Sequence, residues 1–175
     1  MELKEIISRR RSTRKFLPAP VERERLERVV EMALQAPSSC NSRSTRFVIV
    51  QNPDLLEKMS RMRDYGSAFM KDAAAAILVM GDKRVTDLWI DNCAISATTL
   101  QLAVVDEGLA SCWVHVNDRP CLQAEPDGRK ADDYLRELLD LPEHYGILCA
   151  VALGFSDFEP KPLPPYEGEE RVIWK

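Results

Sequence analysis

Between positions 21 and 35 apolar side chains return at helical spacing: Leu26, Val29, Val30, Ala33 and Leu34 share one face, and glutamates and arginines take the other. That alternation predicts an amphipathic helix. A shorter version over 2–10, with Leu3, Ile6 and Ile7 on one side, predicts a first helix that buries those three. Leu17-Pro18-Ala19-Pro20 cannot continue a helix and reads as an extended connector. The β-branched run 47–50 predicts a buried strand, and 53–63 a short helix with Leu55, Leu56 and Met59 inward. Positions 73–80 (Ala-Ala-Ala-Ala-Ile-Leu-Val-Met) are apolar and short, so length favours a strand although the alanines favour helix. The longest helix is expected over 86–106, apolar on more than one side and ended by Gly108 as a C-cap. Strands over 110–116 and 146–154 bracket an irregular excursion (117–130) and a short helix (132–139).

Strands separated by helices imply a layered α/β or α+β domain. No repeat or second unit interrupts the pattern, so 1–175 is expected to form one domain, with the proline-rich stretch 159–175 as an extended arm. The over-apolar central helix, the arm and the terminal Val172-Ile173-Trp174 present more apolar surface than one chain readily covers. A symmetric homodimer is the simplest expectation for that surplus.

Composition narrows the function. With 45% apolar and 30% charged residues and a net charge of -4, the chain resembles an ordinary soluble protein and not a generic binder of nucleic acid. Asp91, Asn92 and Gln101 break its most apolar stretch, which argues against a membrane span, and Met1-Glu2-Leu3-Lys4-Glu5 is unlike a secretory leader. A cytoplasmic protein is expected. Its five cysteines (40, 93, 112, 121 and 149) form no CxxC pair and are expected to be reduced and mostly buried. Two histidines without carboxylates at ligand spacing give no expectation of a metal.

Against the acidic background stands Arg9-Arg10-Arg11-Ser12-Thr13-Arg14-Lys15-Phe16, five of whose eight residues are cationic. Guanidinium groups and hydroxyls crowded into so short a reach suit a phosphate dianion. Taken alone, the run could equally be a solvated charged face, Ser38, Ser39 and Asn41 a helix-end turn, and Trp113 and His115 core residues.

Three segments in order carry a family resemblance. Arg10-Arg11-Ser12-Thr13-Arg14-Lys15-Phe16, Ala36-Pro37-Ser38-Ser39-Cys40-Asn41-Ser42 and Glu107-Gly108-Leu109-Ala110-Ser111-Cys112-Trp113-Val114 are similar to elements of the nitroreductase family of flavin enzymes, from about Ile6 to the C-terminus. The resemblance implies an α+β, three-layer α/β/α sandwich, a central mostly antiparallel sheet flanked by helices, in an intertwined homodimer with FMN at the interface. It implies that Arg10, Arg11, Ser12 and Arg14 hold the FMN phosphate and ribityl chain, with Lys161 as a tail cation nearby. It further implies that Pro37, Ser38, Ser39 and Asn41 approach from the second subunit, that Arg43, in the place of a common Gln, donates beside the flavin pyrimidine or to the phosphate, and that Trp113, Val114 and His115 lie along the isoalloxazine ring.

The chain also departs from the family pattern. Arg43-Ser44-Thr45 stands where Gln-Pro-Trp is common, Tyr65-Gly66-Ser67 offers no Asn where one is frequent, and Leu163 takes the place of a tail Arg. The chemistry the resemblance implies is hydride transfer from NAD(P)H through flavin N5 to a nitro, quinone or related small-molecule acceptor by a ping-pong cycle. It needs no protein nucleophile, so no catalytic residue is expected. The alternatives are a flavin-binding member without NAD(P)H turnover, serving redox sensing or flavin sequestration, or a flavin reductive dehalogenase.

Overall fold

A computed structural model describes residues 1–159, 161–162, 171 and 173–175. Its elements run α1 (Leu3–Arg9), α2 (Arg23–Leu34), β1 (Thr45–Val50), α3 (Pro53–Ser60), β2 (Ala75–Asp82), α4 (Trp89–Asp106), β3 (Ala110–His115), α5 (Ala131–Leu138) and β4 (Tyr145–Gly154). The four strands form one sheet in the order β1-β2-β4-β3, every adjacent pair antiparallel.

Each face of that sheet carries its own apolar core, which makes three layers. On one face Leu26, Val29 and Ala33 of α2 and Cys93, Ala97, Leu100 and Val104 of α4 meet Ile77, Val79, Val151 and Leu153. On the other, Leu56 and Met59 of α3 and Leu135 of α5 meet Leu78, Met80, Val114 and Ile147. Because both faces are covered, β2 and β4 carry almost unbroken apolar runs, which is why the alanine-rich 73–80 stretch is a strand and not a helix. Gly81 and Gly146 lie opposite each other in the β2–β4 register, and a Cβ on either would stand within 2.7 Å of Trp89 atoms. The pair of glycines therefore clears a slot for the Trp89 side chain at the head of α4.

Helix α4 ends as expected. Gly108 has φ +73°, its N–H donates to Val105 O, and Leu109 N–H donates to Val104 O, the two bonds of a Schellman motif. Glu107 at the same end takes two hydrogen bonds from Arg28, at 2.9 and 2.7 Å, and so ties α4 to α2. The start of α4 falls later than periodicity suggests, because Thr86 Oγ1 accepts from Leu88 N–H and keeps 86–88 in a turn.

One burial expectation is corrected. In α1 only Ile6 is buried, whereas Leu3 and Ile7 are 64% and 55% exposed, since this short helix touches the body along a single stripe. Ile173 and Trp174 also stay exposed in the single chain. Cysteines 93, 112 and 149 are buried, Cys121 is half-buried and Cys40 is exposed, all of them free thiols. Among the described residues no helix is long and apolar enough to cross a membrane. Leu163 and most of the expected arm lie outside the described residues.

Candidate functional site

The cationic run leaves α1 at Arg10 and crosses the top of the sheet as an extended segment. Thr13 N–H donates to Ser111 O at 2.9 Å, Ser12 and Ser111 form a parallel bridge, and Leu17 N–H donates to Phe155 O at 2.8 Å. These bonds hold the run against the start of β3 and the end of β4. Beyond that bridge the outer edge of β3 has no strand partner among the described residues.

The cations of the run differ in what they do. Arg9 pairs with Glu5 on α1. The Arg11 guanidinium donates to Ser8 O, Arg10 O and Lys161 O at 2.8, 2.7 and 3.0 Å, so it pins the described part of the tail beside the run. Arg14 donates a 3.3 Å bond to Ser12 O, and its Cζ lies 6.0 Å from the Phe69 ring centroid. Among the described residues, no carboxylate pairs with Arg10, Arg11 or Arg14. Positive charge held together without counter-charge is costly unless an anion shares the site.

Beside this cluster the Ser111 Oγ is buried without a partner. Cys112 lies close to Ser12, Arg14 and Arg10; burial raises its thiol pKa, and the hydroxyl and the two cations only partly offset that. Trp113 and His115 share one side of β3, with ring centroids 6.3 Å apart and planes 8° from parallel. The Val114 side chain is buried in the opposite core, so only its main chain can face a ligand at this edge. The structure thus gathers Arg10, Arg11, Ser12, Arg14 and Lys161 at the Ser111 end of β3, while Trp113, Val114 and His115 run away from them along the strand, His115 about 13 Å from Ser111.

Pro37, Ser38, Ser39, Asn41 and Arg43 are elsewhere. Their loop feeds β1, and Ser44 O accepts from Asp82 N–H, so it sits at the Asp82 end of β2. The cationic run sits at the other end, where Ala75 pairs with Leu153. Seven residue steps of antiparallel strand separate the two, about 24 Å.

The loop is held in an unusual shape. Cys40, Asn41 and Arg43 have φ of 48°, 52° and 48°, a left-handed conformation disfavoured for residues with a Cβ. Ser38 Oγ accepts from Arg43 N–H, and Asn41 Oδ1 accepts from Arg43 Nε. A residue that sequence reasoning did not single out binds the loop to the core. Asn92, 1% exposed in the first turn of α4, accepts from Ser39 N–H at 2.8 Å and donates to the hydroxyls of Ser39, Ser42 and Ser44 at 3.0–3.1 Å. Its only sequence signal is that it is one of the few polar residues in an apolar helix. Phe69, under Arg14, lies in a 3-10 turn (Ala68–Asp72) that the apolar pattern did not reveal.

The sequence matches the nitroreductase family over residues 7–76 and 60–155, nearly the whole described sheet and its helices. The chain belongs to the nitroreductase family. A relative from Methanothermobacter thermautotrophicus, provisionally named an NADH dehydrogenase/NAD(P)H nitroreductase, is 30% identical over 163 residues, covering 91% of this chain and 80% of the relative. An FMN-dependent nitroreductase from Clostridium difficile R20291 superposes with a TM-score of 0.85 at 35% identity, covering 91% of each chain. A second solved structure, from Bacteroides thetaiotaomicron and provisionally named like the Methanothermobacter protein, gives a TM-score of 0.84 at 26% identity over 98% of this nitroreductase chain and 96% of its own. The three-layer α+β architecture is therefore the family's fold.

Proposed function

We propose that this nitroreductase is an FMN-dependent oxidoreductase that uses NAD(P)H to reduce a nitro, quinone or related acceptor, and that it works as a homodimer. The observation that carries the reading is the unpaired cationic run at the open edge of β3. Arg10 and Arg14 have no carboxylate partners among the described residues, and a phosphate monoester supplies the missing counter-charge. The donor set fits FMN: guanidinium groups and Ser12 for its phosphate, and the Trp113–His115 edge beside them for a planar ring.

When bound, FMN supplies the hydride and electron transfer between pyridine nucleotide and acceptor. The protein residues orient and exclude. Arg14, its guanidinium over Phe69, would hold positive charge at the phosphate beside Ser12. Arg11 acts through the main chain and holds the tail at Lys161 beside the phosphate.

The distance between the run and the 37–43 loop supports the homodimer. One chain cannot bring both to one ligand, but a second copy laid antiparallel can present its Pro37, Ser38, Ser39, Asn41 and Arg43 to the first copy's run. Ile90 and Ile95, each 41% exposed on α4 while Asn92 and Ser96 are buried, give such a copy an apolar face to cover.

Two measurements test the proposal. The purified protein should be yellow and should bleach anaerobically with NADH or NADPH; a flavin that no pyridine nucleotide reduces would refute the turnover. Replacing Arg10 and Arg14 by Ala should weaken FMN binding by about 1.5–3 kcal/mol for each charged hydrogen bond lost, and riboflavin binding much less. Equal losses for the two ligands would mean that the run does not hold the phosphate.

A further inference from the structure

A second group of cations without carboxylate partners lies further along the same edge of β3. Arg63, in the loop after α3, donates from Nη1 to His115 O at 3.0 Å, and its Cζ stands 4.5 Å from the Tyr65 ring centroid. Its Nε is buried without a partner. A Cβ at Gly66 would come within 2.8 Å of Arg63 Nη2, so glycine there leaves room for the guanidinium. Arg119, exposed in the turn that follows β3, is within electrostatic reach of both Arg63 and His115.

Neither arginine has a salt bridge among the described residues. Asp64 attracts Arg63 without pairing with it and accepts from Gln123 N–H at 3.0 Å, while Asp118, next to Arg119, pairs with Lys130. The crowding of positive charge shows in the imidazole: burial, then Arg119, then Arg63 hold the His115 pKa below its ordinary value. Two guanidinium groups beside a neutral imidazole, next to a flat pair of stacked rings, form a platform with an anion receptor at one end.

We infer that Arg63 and Arg119, at the His115 end of the Trp113–His115 shelf, form an oxyanion subsite that takes the phosphate or carboxylate group of a molecule reacting at the shelf. The inference rests on the oxidoreductase reading for the word reacting, but the subsite itself does not depend on flavin. Two sources share this chemistry: a phosphate of the pyridine nucleotide, and a carboxylate on the electron acceptor. Arg63 is the fixed member, locked by His115 O and Tyr65; Arg119 is the adjustable one, free to swing onto the ligand.

The test follows the Arg63 Nε–H resonance in 15N-labelled protein during titration with inorganic phosphate and, separately, with benzoate. In flavin-loaded protein the Arg10–Arg14 site already holds a phosphate; in flavin-free protein Arg14→Ala removes that competitor, so a failure of flavin binding does not disturb this measurement. The resonance should move saturably with at least one anion, Arg119→Gln should weaken that binding about tenfold, and Arg119→Lys should restore most of it. Kinetics then separate the sources: Arg119→Gln should raise KM for NADPH alone where the 2′-phosphate is held, for NADPH and NADH alike where the pyrophosphate is held, or for 4-nitrobenzoate but not 4-nitrobenzamide where the acceptor carboxylate is held. A wild-type resonance that neither anion moves, or Arg119→Gln binding as tightly as wild type, would overturn the subsite.

Discussion

Asn92 fastens a strained loop to a helix with one amide group. Its carbonyl oxygen meets Ser39 N–H, and its two amide hydrogens are shared among three serine hydroxyls, of which the bond to Ser44 is fully buried and the others half-buried. Three left-handed residues within 40–43 need such an anchor, because nothing in their own backbone preference keeps them there. Asn92→Ala should lower stability by about 1–3 kcal/mol in urea unfolding, the range for orphaned buried polar groups. It should also weaken FMN binding if the loop completes the flavin site; unchanged affinity would separate the loop from the cofactor. Little in the sequence warns of this role, since Asn92 and its serines lie some 50 positions apart and only the folded sheet brings them together. The cationic run was easier to read, because its chemistry is contiguous, but which of its members are engaged by main-chain carbonyls was not.

At the scale of elements, period and length predicted most of what formed. Helices α2 and α4 and all four strands appear within a few residues of the positions that their apolar spacing suggests. The failures share a cause: a pattern names an apolar face but not what covers it. Leu3 and Ile7 of α1 follow the helical period and face water, and α4 buries Asn92, Ser96 and Gln101 while exposing Ile90 and Ile95.

The join of α2 to α4 carries a pH signature. Hydrogen bonds from Arg28, with Arg28 and Arg25 adding attraction, hold the Glu107 carboxyl below its usual range. A carboxyl whose folded pKa is depressed contributes stability in full above its unfolded pKa and loses it as pH falls through the folded value. Glu107→Gln should therefore lower Tm at pH 7, and its gap from wild type should close as pH falls below the ordinary carboxyl range. A gap independent of pH would assign the effect to packing alone.

For the molecule as a whole, the sheet's length acts as a spacer. The feature with the widest consequence is that the cationic run and the 37–43 loop occupy opposite ends of β2. If both serve one ligand, a dimer is a reciprocal exchange in which each chain lends one end and borrows the other. Lesions then sort by chain in a way that no single-chain site permits. A dimer assembled from one Arg10→Ala/Arg14→Ala chain and one Asn92→Ala chain gathers both defects into one cavity and leaves the other with neither. Two inactive preparations, unfolded together and refolded, should recover NAD(P)H-dependent bleaching that neither shows alone, and the absence of recovery would mean that each chain builds its own site. Heredity would see the same arithmetic: two broken copies of this chain, damaged at different ends, can make one working enzyme between them.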